Sequence, residues 1–522
     1  MNKFCKLIIC SLVIFNVTML FASADSDKKF VLTDAIKERA SVYTNWAEVV
    51  YTNPATHYFL YDNKYSKFEL THYNREEDIA FKIQEGNKER NNSLYSSAYL
   101  PLREKELLWG SASYQIKRKN NLKLTSVSDY NLLYPQIIGD RYLNNTNIET
   151  YKFDGGYGYK GDRFSWGVSG DVRAVFEYRQ LDSRAQNSVL EVGLKTAISY
   201  QLREDGDYGA FLSVGFSRYK QNSDVRSYKN EDGIQQYMMN GPLSHFPRFS
   251  DSKITVLYQG DEYNAGFGLF SRKNEGFAMS VNYSSFNNLR LFRDVNLCPY
   301  TYLITRNTDV HLSYRKRLER GHSVGVALNG NYENRTGVEY ILDLLGNNGL
   351  FPIFGEIYQY YSDDYDASFS LLYSYQNEFL EFSLAPFVGV ELFDEEFLLP
   401  KQLTTINFIK TGGSANISAN YRRHFMKFSF NADFMKNQRR YMEYYTGTNV
   451  VVPVNTEEFY YKVVRSDYMQ RSTDHFDIRF NLDYHFSYSS NLGFYTKVEY
   501  AERLIKAKVN RNYFTLILGM NF

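Results

Sequence analysis

The chain has 522 residues, and its 60 Lys+Arg stand against 59 Asp+Glu, a balance that excludes an electrostatic case for nucleic-acid binding. Aromatic residues make up 17 % of it, with 47 Tyr and 39 Phe, yet its mean hydropathy is negative. Of the cysteines only Cys298 lies beyond the first ten residues, which excludes an internal disulfide framework and a cysteine metal cluster in a processed chain.

Lys3 and Lys6 precede an apolar run from Leu7 to Phe21, and Ala22-Ser23-Ala24 has the small-residue pattern of a cleavage site. Residues 1–24 therefore read as a secretory signal peptide, with the mature chain starting at Asp25. The run is short for a transmembrane helix, which needs about 20 apolar residues. A lipoprotein signal at Cys10 is disfavoured because Ile8-Ile9 lacks the small residues such a signal needs.

Residues 25–60 differ in character from the rest of the mature chain. The sequence LTDAIKERA predicts a short helix over Leu32–Ala40, with Thr33 or Asp34 near its cap. Pro54 removes a donor from any ladder, so Asn53-Pro54-Ala55 is not expected in a barrel wall. Together with Trp46 these residues are expected to form a hatch or plug inside or beneath a barrel built from residues 61–522.

From about Lys64 onward the pattern has period two. In Arg163–Arg179, Phe164, Trp166, Val168, Val172, Phe176 and Tyr178 share one face, whereas Asp171, Arg173, Glu177 and Arg179 share the other, with Val175 as an apolar intruder. The run is far longer than the ~5–6 residues of an average soluble strand, which favours a tilted strand crossing a bilayer. The same alternation recurs at Asp309–Arg315, Asp364–Tyr375, His475–Phe486 and Leu492–Tyr500. Short connections such as Lys160-Gly161-Asp162, Glu319-Arg320-Gly321 and Gln376-Asn377-Glu378 alternate with long ones. The long ones are expected at Lys119–Thr150, Gln221–Asp251, Asn287–Asn307, Asn334–Asp363, Phe393–Gly412 and Asn437–Ser472. That asymmetry fits periplasmic turns and extracellular loops. Parity holds if Ser252–Arg272 is one long strand bent at Gly260. The closing stretch, Arg511–Phe522, sets Phe514, Leu516, Leu518, Met520 and Phe522 against a mostly polar face. The expected fold is all-β, a transmembrane antiparallel β-barrel of about 18 strands, with about 14–20 compatible with the boundaries. A soluble sandwich or propeller would not combine a signal peptide, long strands, asymmetric loops and a terminal Phe.

The polar faces carry mixed charge, notably Asp171, Arg173, Glu177, Arg179, Asp477 and Arg479. Two readings stand side by side: a permeation path whose charge selects solutes, and a cross-strand ion-pair network that fills the lumen. No Gly-x-Ser-x-Gly or His-Glu-x-x-His motif occurs and the histidines are scattered, so no catalytic residue, metal ligand or cofactor is assigned and an enzyme is not expected. Two tyrosine-rich stretches, Tyr358–Asp366 and Tyr441–Tyr468, are expected as extracellular loops that either cap the barrel or dock a partner.

Three stretches, Trp46–Ala55, Asp162–Arg184 and the closing strand, resemble an uncharacterised family of Bacteroidota outer-membrane β-barrels, a domain of unknown function. The resemblance implies an outer-membrane location and no established activity. The terminal Phe522 resembles the signal that such barrels present to the barrel-assembly machinery. Asn53-Pro54-Ala55 is also similar to a tripeptide in the hatch of outer-membrane long-chain fatty-acid transporters, whose barrels are smaller than this strand count. The expected function is passive or ligand-gated uptake of a small, amphipathic solute through a barrel in contact with outer-membrane lipid. The alternative is a non-transporting protein whose Tyr-rich loops bind a surface lipoprotein, a glycan or a secretion partner.

Overall fold

The computed structural model describes residues 32–522, apart from 204–205, 229–234, 243, 246–249, 251–252, 295, 344–350, 400, 445–453 and 506–507. The segment read as a signal peptide lies outside the described residues.

An 18-stranded antiparallel sheet closes on itself. Its strands are β1 (Tyr65–Glu77), β2 (Lys88–Arg103), β3 (Glu106–Leu122), β5 (Asn144–Lys160), β6 (Phe164–Tyr178), β7 (Arg184–Gln201), β8 (Tyr208–Arg226), β11 (Lys253–Ser271), β12 (Gly276–Phe292), β13 (Cys298–Arg317), β14 (His322–Leu342), β15 (Ile353–Gln376), β16 (Leu380–Phe397), β17 (Gln402–Tyr421), β18 (His424–Tyr444), β19 (His475–Ser487), β20 (Gly493–Ile505) and β21 (Lys508–Asn521). Each pairs with the next, and β1 closes the ring on β21 from Lys67↔Asn521 to Glu77↔Arg511. Three short strands, β4 (Ile138–Asp140), β9 (Gln236–Gly241) and β10 (Ser244–His245), form a separate sheet. The stretch read as one long strand is the single strand β11, Lys253–Ser271.

Alternation places the apolar face outside. Leu190, Leu194 and Ile198 on β7 and Leu212, Val214 and Phe216 on β8 are exposed, as lipid-facing residues of a barrel must be. An aromatic girdle of Phe164, Trp166, Tyr200, Tyr314, Tyr373, Tyr421, Tyr484 and Phe494 rings the end where the short turns lie. These turns are tight: between β13 and β14, Arg320 and Gly321 both take positive φ, and a Cβ at Gly321 would lie 2.1 Å from the Gln376 carbonyl oxygen. The architecture is that of a transmembrane β-barrel.

The other end differs from expectation in one respect. Stretches expected as long loops are largely strand. β12 continues to Phe292 and β13 resumes at Cys298, while β14 reaches Leu342 and β15 starts at Ile353. The tyrosine-rich stretch Tyr358–Asp366 is therefore wall, not loop: Tyr360 is buried inward and bonds Glu395 (2.9 Å), and Tyr358 and Tyr365 are exposed outward. Aromatic side chains suit a pleated surface as well as a loop, so composition alone did not separate the two. At 24 residues, β15 far exceeds the ~9–11 needed to cross a bilayer, so the wall projects beyond it. In the second tyrosine-rich stretch the described residues are a strand end and a helix, α5 (Val454–Arg471), and residues 445–453 lie outside the description.

A charge on the outer face tests this register. Leu194→Arg places a guanidinium in lipid near the middle of β7 and is expected to destabilise the folded barrel by ~2–4 kcal/mol. Denaturant unfolding in lipid vesicles, read against wild type, measures it; an unchanged midpoint would put Leu194 on the wrong face.

Candidate functional site: a lumen closed at both ends

At the short-turn end the lumen holds the N-terminal segment. It folds as α1 (Leu32–Ala40), α2 (Val42–Asn45), α3 (Glu48–Tyr51) and a 3-10 turn at His57–Phe59. Ser41 starts α2 with its hydroxyl facing the Thr44 amide at 3.5 Å. Leu32 and Ile36 pack on Phe425 of the wall, and Ala47, Val50, Tyr51 and Phe59 pack on Phe211, Phe270 and Ala278.

Wall side chains reach in to satisfy the plug's backbone. Arg315, almost fully buried, donates to the carbonyls of Tyr43 and Thr44 (2.8 Å for Thr44). Lys427 donates to the Ala40 carbonyl at 2.7 Å, and the Ser41 hydroxyl donates to Glu381 at 2.9 Å. In the other direction, Trp46 Nε1 donates to the Val326 carbonyl at 3.2 Å and the Tyr51 hydroxyl to the Ser271 carbonyl at 2.7 Å. Arg39 lies over the rings of Tyr61, Tyr65 and Tyr99 at 4.3, 4.5 and 5.3 Å. Asn53 makes a local turn in which its Oδ1 accepts from the Ala55 amide at 3.0 Å. The next residue touches the wall: a Cβ at Gly167 would sit 2.2 Å from the Pro54 carbonyl oxygen, so only glycine there allows so close an approach.

The opposite end is closed by chain folded inward. The segment between β3 and β5 carries α4 (Tyr130–Leu133) and β4, and β4 pairs with β9. Leu124, Val127, Leu133, Ile137 and Ile138 form a core with Val175, Val189, Tyr219, Val225, Val256 and Phe286. Val175, the intruder on the polar face of β6, is thus an inward residue with an apolar partner. Two of the predicted lumen charges, Arg173 and Arg179, hold this segment, while Glu177 bonds the neighbouring strand β5. Arg173 pairs bidentately with Asp129 (3.0 and 2.8 Å) and also with Glu191 (2.8 Å). Arg179, with no exposed side-chain surface, meets Asp140, the Thr125 carbonyl and Ser126. Glu177 accepts from Thr146 at 3.0 Å. Burial raises the Asp140 carboxyl above its ordinary range. The helix α5 adds Asp467, which accepts from the Ile83 amide at 3.1 Å, and Tyr468, packed on Ile406 and Phe408.

The remaining predicted charges lie elsewhere on the wall. Asp171 is exposed, Asp477 pairs bidentately with Arg503 (2.7 Å on both arms), and Arg479 faces Glu499 at 3.4 Å. Phe522 continues β21 by a bond from its amide to the Ser66 carbonyl at 2.8 Å. Partners that sequence reasoning missed are Asp129, Asp140, Glu381 and Lys427. The first two sit in a stretch that reads as solvated loop, and only the apolar Val175 facing them hinted that something fills the barrel there.

Among the cavities between this filling and the wall, two bear on the lumen. The upper, about 380 Å³, lies between the infolded segment and the wall and is lined among others by Asp129, Tyr130, Lys152, Arg173 and Glu191. The lower, about 350 Å³, lies against the plug and is lined among others by Thr52, Asn53, Lys195, Glu262, Asn282 and Asp309. Glu191 and Lys195 are both inward on β7, four residues or ~13 Å apart, so the cavities follow one strand. Among the described residues, no group of three His, Cys, Asp or Glu is placed to hold a metal ion.

Fold and lumen define an 18-stranded transmembrane barrel whose lumen holds its own N-terminal segment and infolded chain. Residues 54–522 match the Family of unknown function (DUF6850), and the chain belongs to that family. No curated protein matches it. Among solved structures it is similar to BauA, the ferric preacinetobactin receptor of Acinetobacter baumannii (8 % identity, TM-score 0.39, 88 % of this chain and 80 % of that one). It is similar at the same TM-score and coverage to the copper transporter OprC, with 9 % identity. FpvA of P. aeruginosa, bound to heterologous pyoverdines, gives 8 % identity and a TM-score of 0.42, over 88 % of this chain and 72 % of that one. These are distant likenesses in architecture.

Two outcomes are expected. Arg179→Ala leaves Asp140 buried and unpaired, a change of ~3–5 kcal/mol, and is expected to expose the 123–143 segment to limited proteolysis while the barrel still shows heat-modifiable migration. His57 supplies a pH dependence. Its Nδ1 donates to the Tyr51 carbonyl at 2.9 Å, its ring packs 4.7 Å from that of Trp109, and burial pushes its pKa below 6.5. A depressed folded pKa means that the docked plug is fully stabilised above pH 6.5 and loses that contribution as pH falls through the folded value. Acidification below that point is expected to speed hydrogen exchange in residues 42–60, and His57→Gln is expected to remove the step.

Proposed function

We propose that this protein sits in an outer membrane and takes up a small solute, with residues 32–60 as a movable hatch. The observation that carries the reading is how that segment is held: hydrogen bonds donated by Arg315 and Lys427 and accepted by Glu381 and the Ser271 carbonyl, with no covalent tie between plug and wall among the described residues. Contacts of this kind each contribute about 0.5–3 kcal/mol net and exchange with water, so a docked and a displaced plug are separated by an energy that ligand binding can supply. The mid-lumen polar faces and the two cavities supply a route alongside the plug. No catalytic step belongs to this reading. The partners it requires are outer-membrane lipid, the assembly machinery that inserts the barrel and the solute itself. The alternative of partner docking by tyrosine-rich loops loses one of its two stretches as a loop, because Tyr358–Asp366 lies in β15.

The test is conductance across a planar bilayer, comparing the intact mature protein with a form lacking residues 25–60, each with and without Arg179→Ala to release the infolded segment. The intact protein is expected to be silent, and the hatch-less form carrying Arg179→Ala is expected to conduct steadily. Silence of both hatch-less forms, with the barrel folded by gel migration, would show a lumen sealed by its own wall and end the uptake reading.

A further inference from the structure

We infer that the lower cavity is the solute-binding site, that it takes a small neutral polyhydroxylated solute of mono- or disaccharide size, and that Asn53 is the group through which the hatch contacts it. The inference rests on the uptake reading and names its substrate class.

The cavity is bounded on one side by the hatch, through Val49, Thr52 and Asn53, and on the other by strands β7, β8, β11, β12 and β13. Two polar atoms of its lining residues, each with almost no accessible surface of its own, lack a hydrogen-bond partner among the described residues. One is Asn53 Nδ2, in a residue only 4 % exposed, whose Oδ1 is already committed to the Ala55 amide. The other is the Ser280 hydroxyl on β12, in a residue 1 % exposed.

The lining specifies the occupant. Asn53, Asn264, Asn282 and Asn307 contribute carboxamides, each a donor and an acceptor, and Thr52, Ser280 and Ser284 contribute hydroxyls. Glu262 and Asp309 are acceptors. The Asp309 carboxylate already accepts from Asn307 at 3.2 Å and Asn331 at 2.6 Å, which fixes its orientation. Lys195 is the one cation of the lining. Alternating donors and acceptors at this density match vicinal hydroxyls, each of which both donates and accepts. An acyl chain finds only Val49 and Phe211 as wholly apolar side chains. An anion meets two carboxylates, and the absence of a metal-ligand cluster among the described residues disfavours a bare cation. The volume, about 350 Å³, falls at the low end of the range for small-molecule sites.

The position explains how occupancy could move the hatch. Asn53 shapes the turn that delivers Pro54 to the wall at Gly167. A solute that touches Thr52 and Asn53 on the hatch and β12 on the wall at once bears on the conformation of that turn, which is the differential interaction a gated opening requires.

The experiment is calorimetric titration of the intact refolded protein with glucose, N-acetylglucosamine, sucrose and maltose, beside putrescine, citrate and laurate as cationic, anionic and acyl probes. At least one saccharide is expected to bind, and Asn53→Ala and Asn282→Ala are each expected to weaken it tenfold or more. The second variant lies on the wall and leaves the hatch turn intact, so a loss seen in both does not stem from a misfolded hatch. Binding of putrescine, citrate or laurate in preference to every saccharide, no binding of any saccharide, or saccharide binding indifferent to both substitutions would overturn the inference. If the hatch-less barrel conducts and no saccharide binds, the substrate class fails and the uptake reading stands. If a saccharide binds through Asn53 and the hatch-less barrel stays silent, the site stands and transport fails.

Discussion

A bilayer offers no water to an unpaired peptide group, and this molecule is organised around that constraint. Each wall strand must find neighbours on both sides, so the ladder between β1 and β21 is the contact on which the rest depends. Without it both strands would present open edges to lipid. With it, inside and outside become different solvents for alternate residues of the same strand. A lipid-facing Leu194 and a lumen-facing Lys195 can then be consecutive in sequence.

Closing the ring creates a second problem. A barrel of 18 strands is too wide for its own side chains to fill. The chain fills it from both ends by different physics. At the short-turn end, a segment of short helices brings unsatisfied carbonyls that are met by wall cations, Arg315 and Lys427, and buries a small apolar cluster around Tyr51 and Phe270. At the other end the filler is longer and greasier, with its own small sheet and a core around Ile138 and Met238, and its charges are locked in the pairs Arg173–Asp129 and Arg179–Asp140. A buried ion pair with no exposed surface is a poor sliding contact, whereas hydrogen bonds to backbone carbonyls near the lumen can exchange with water.

The wall was legible because its physics is local. Period two needs only neighbours in sequence, so the strands around Phe164–Tyr178 and His475–Ser487, the strand number and the unbroken β11 could all be read directly. The helix at Leu32–Ala40 and the exclusion of Pro54 from the wall rest on equally local rules. Loop boundaries were harder. Tyrosine-rich, acid-rich chain is polar enough to pass for loop, and what keeps Tyr358–Asp366 extended is pairing with Asn331–Val338 on one side and Glu391–Phe397 on the other.

By itself, the sequence determined that this is a transmembrane barrel of about 18 strands with a non-strand segment at its N-terminus, because alternation, turn residues and proline act over a few residues. Only the tertiary structure decided what the lumen contains. Whether Arg173 lines a channel or anchors a loop depends on Asp129, 44 positions away. Whether Asn53 is a turn residue or a ligand contact depends on strands β11 to β13, which meet it only after the ring has closed. Those pairings cross long stretches of chain and carry no period, so no local pattern announces them.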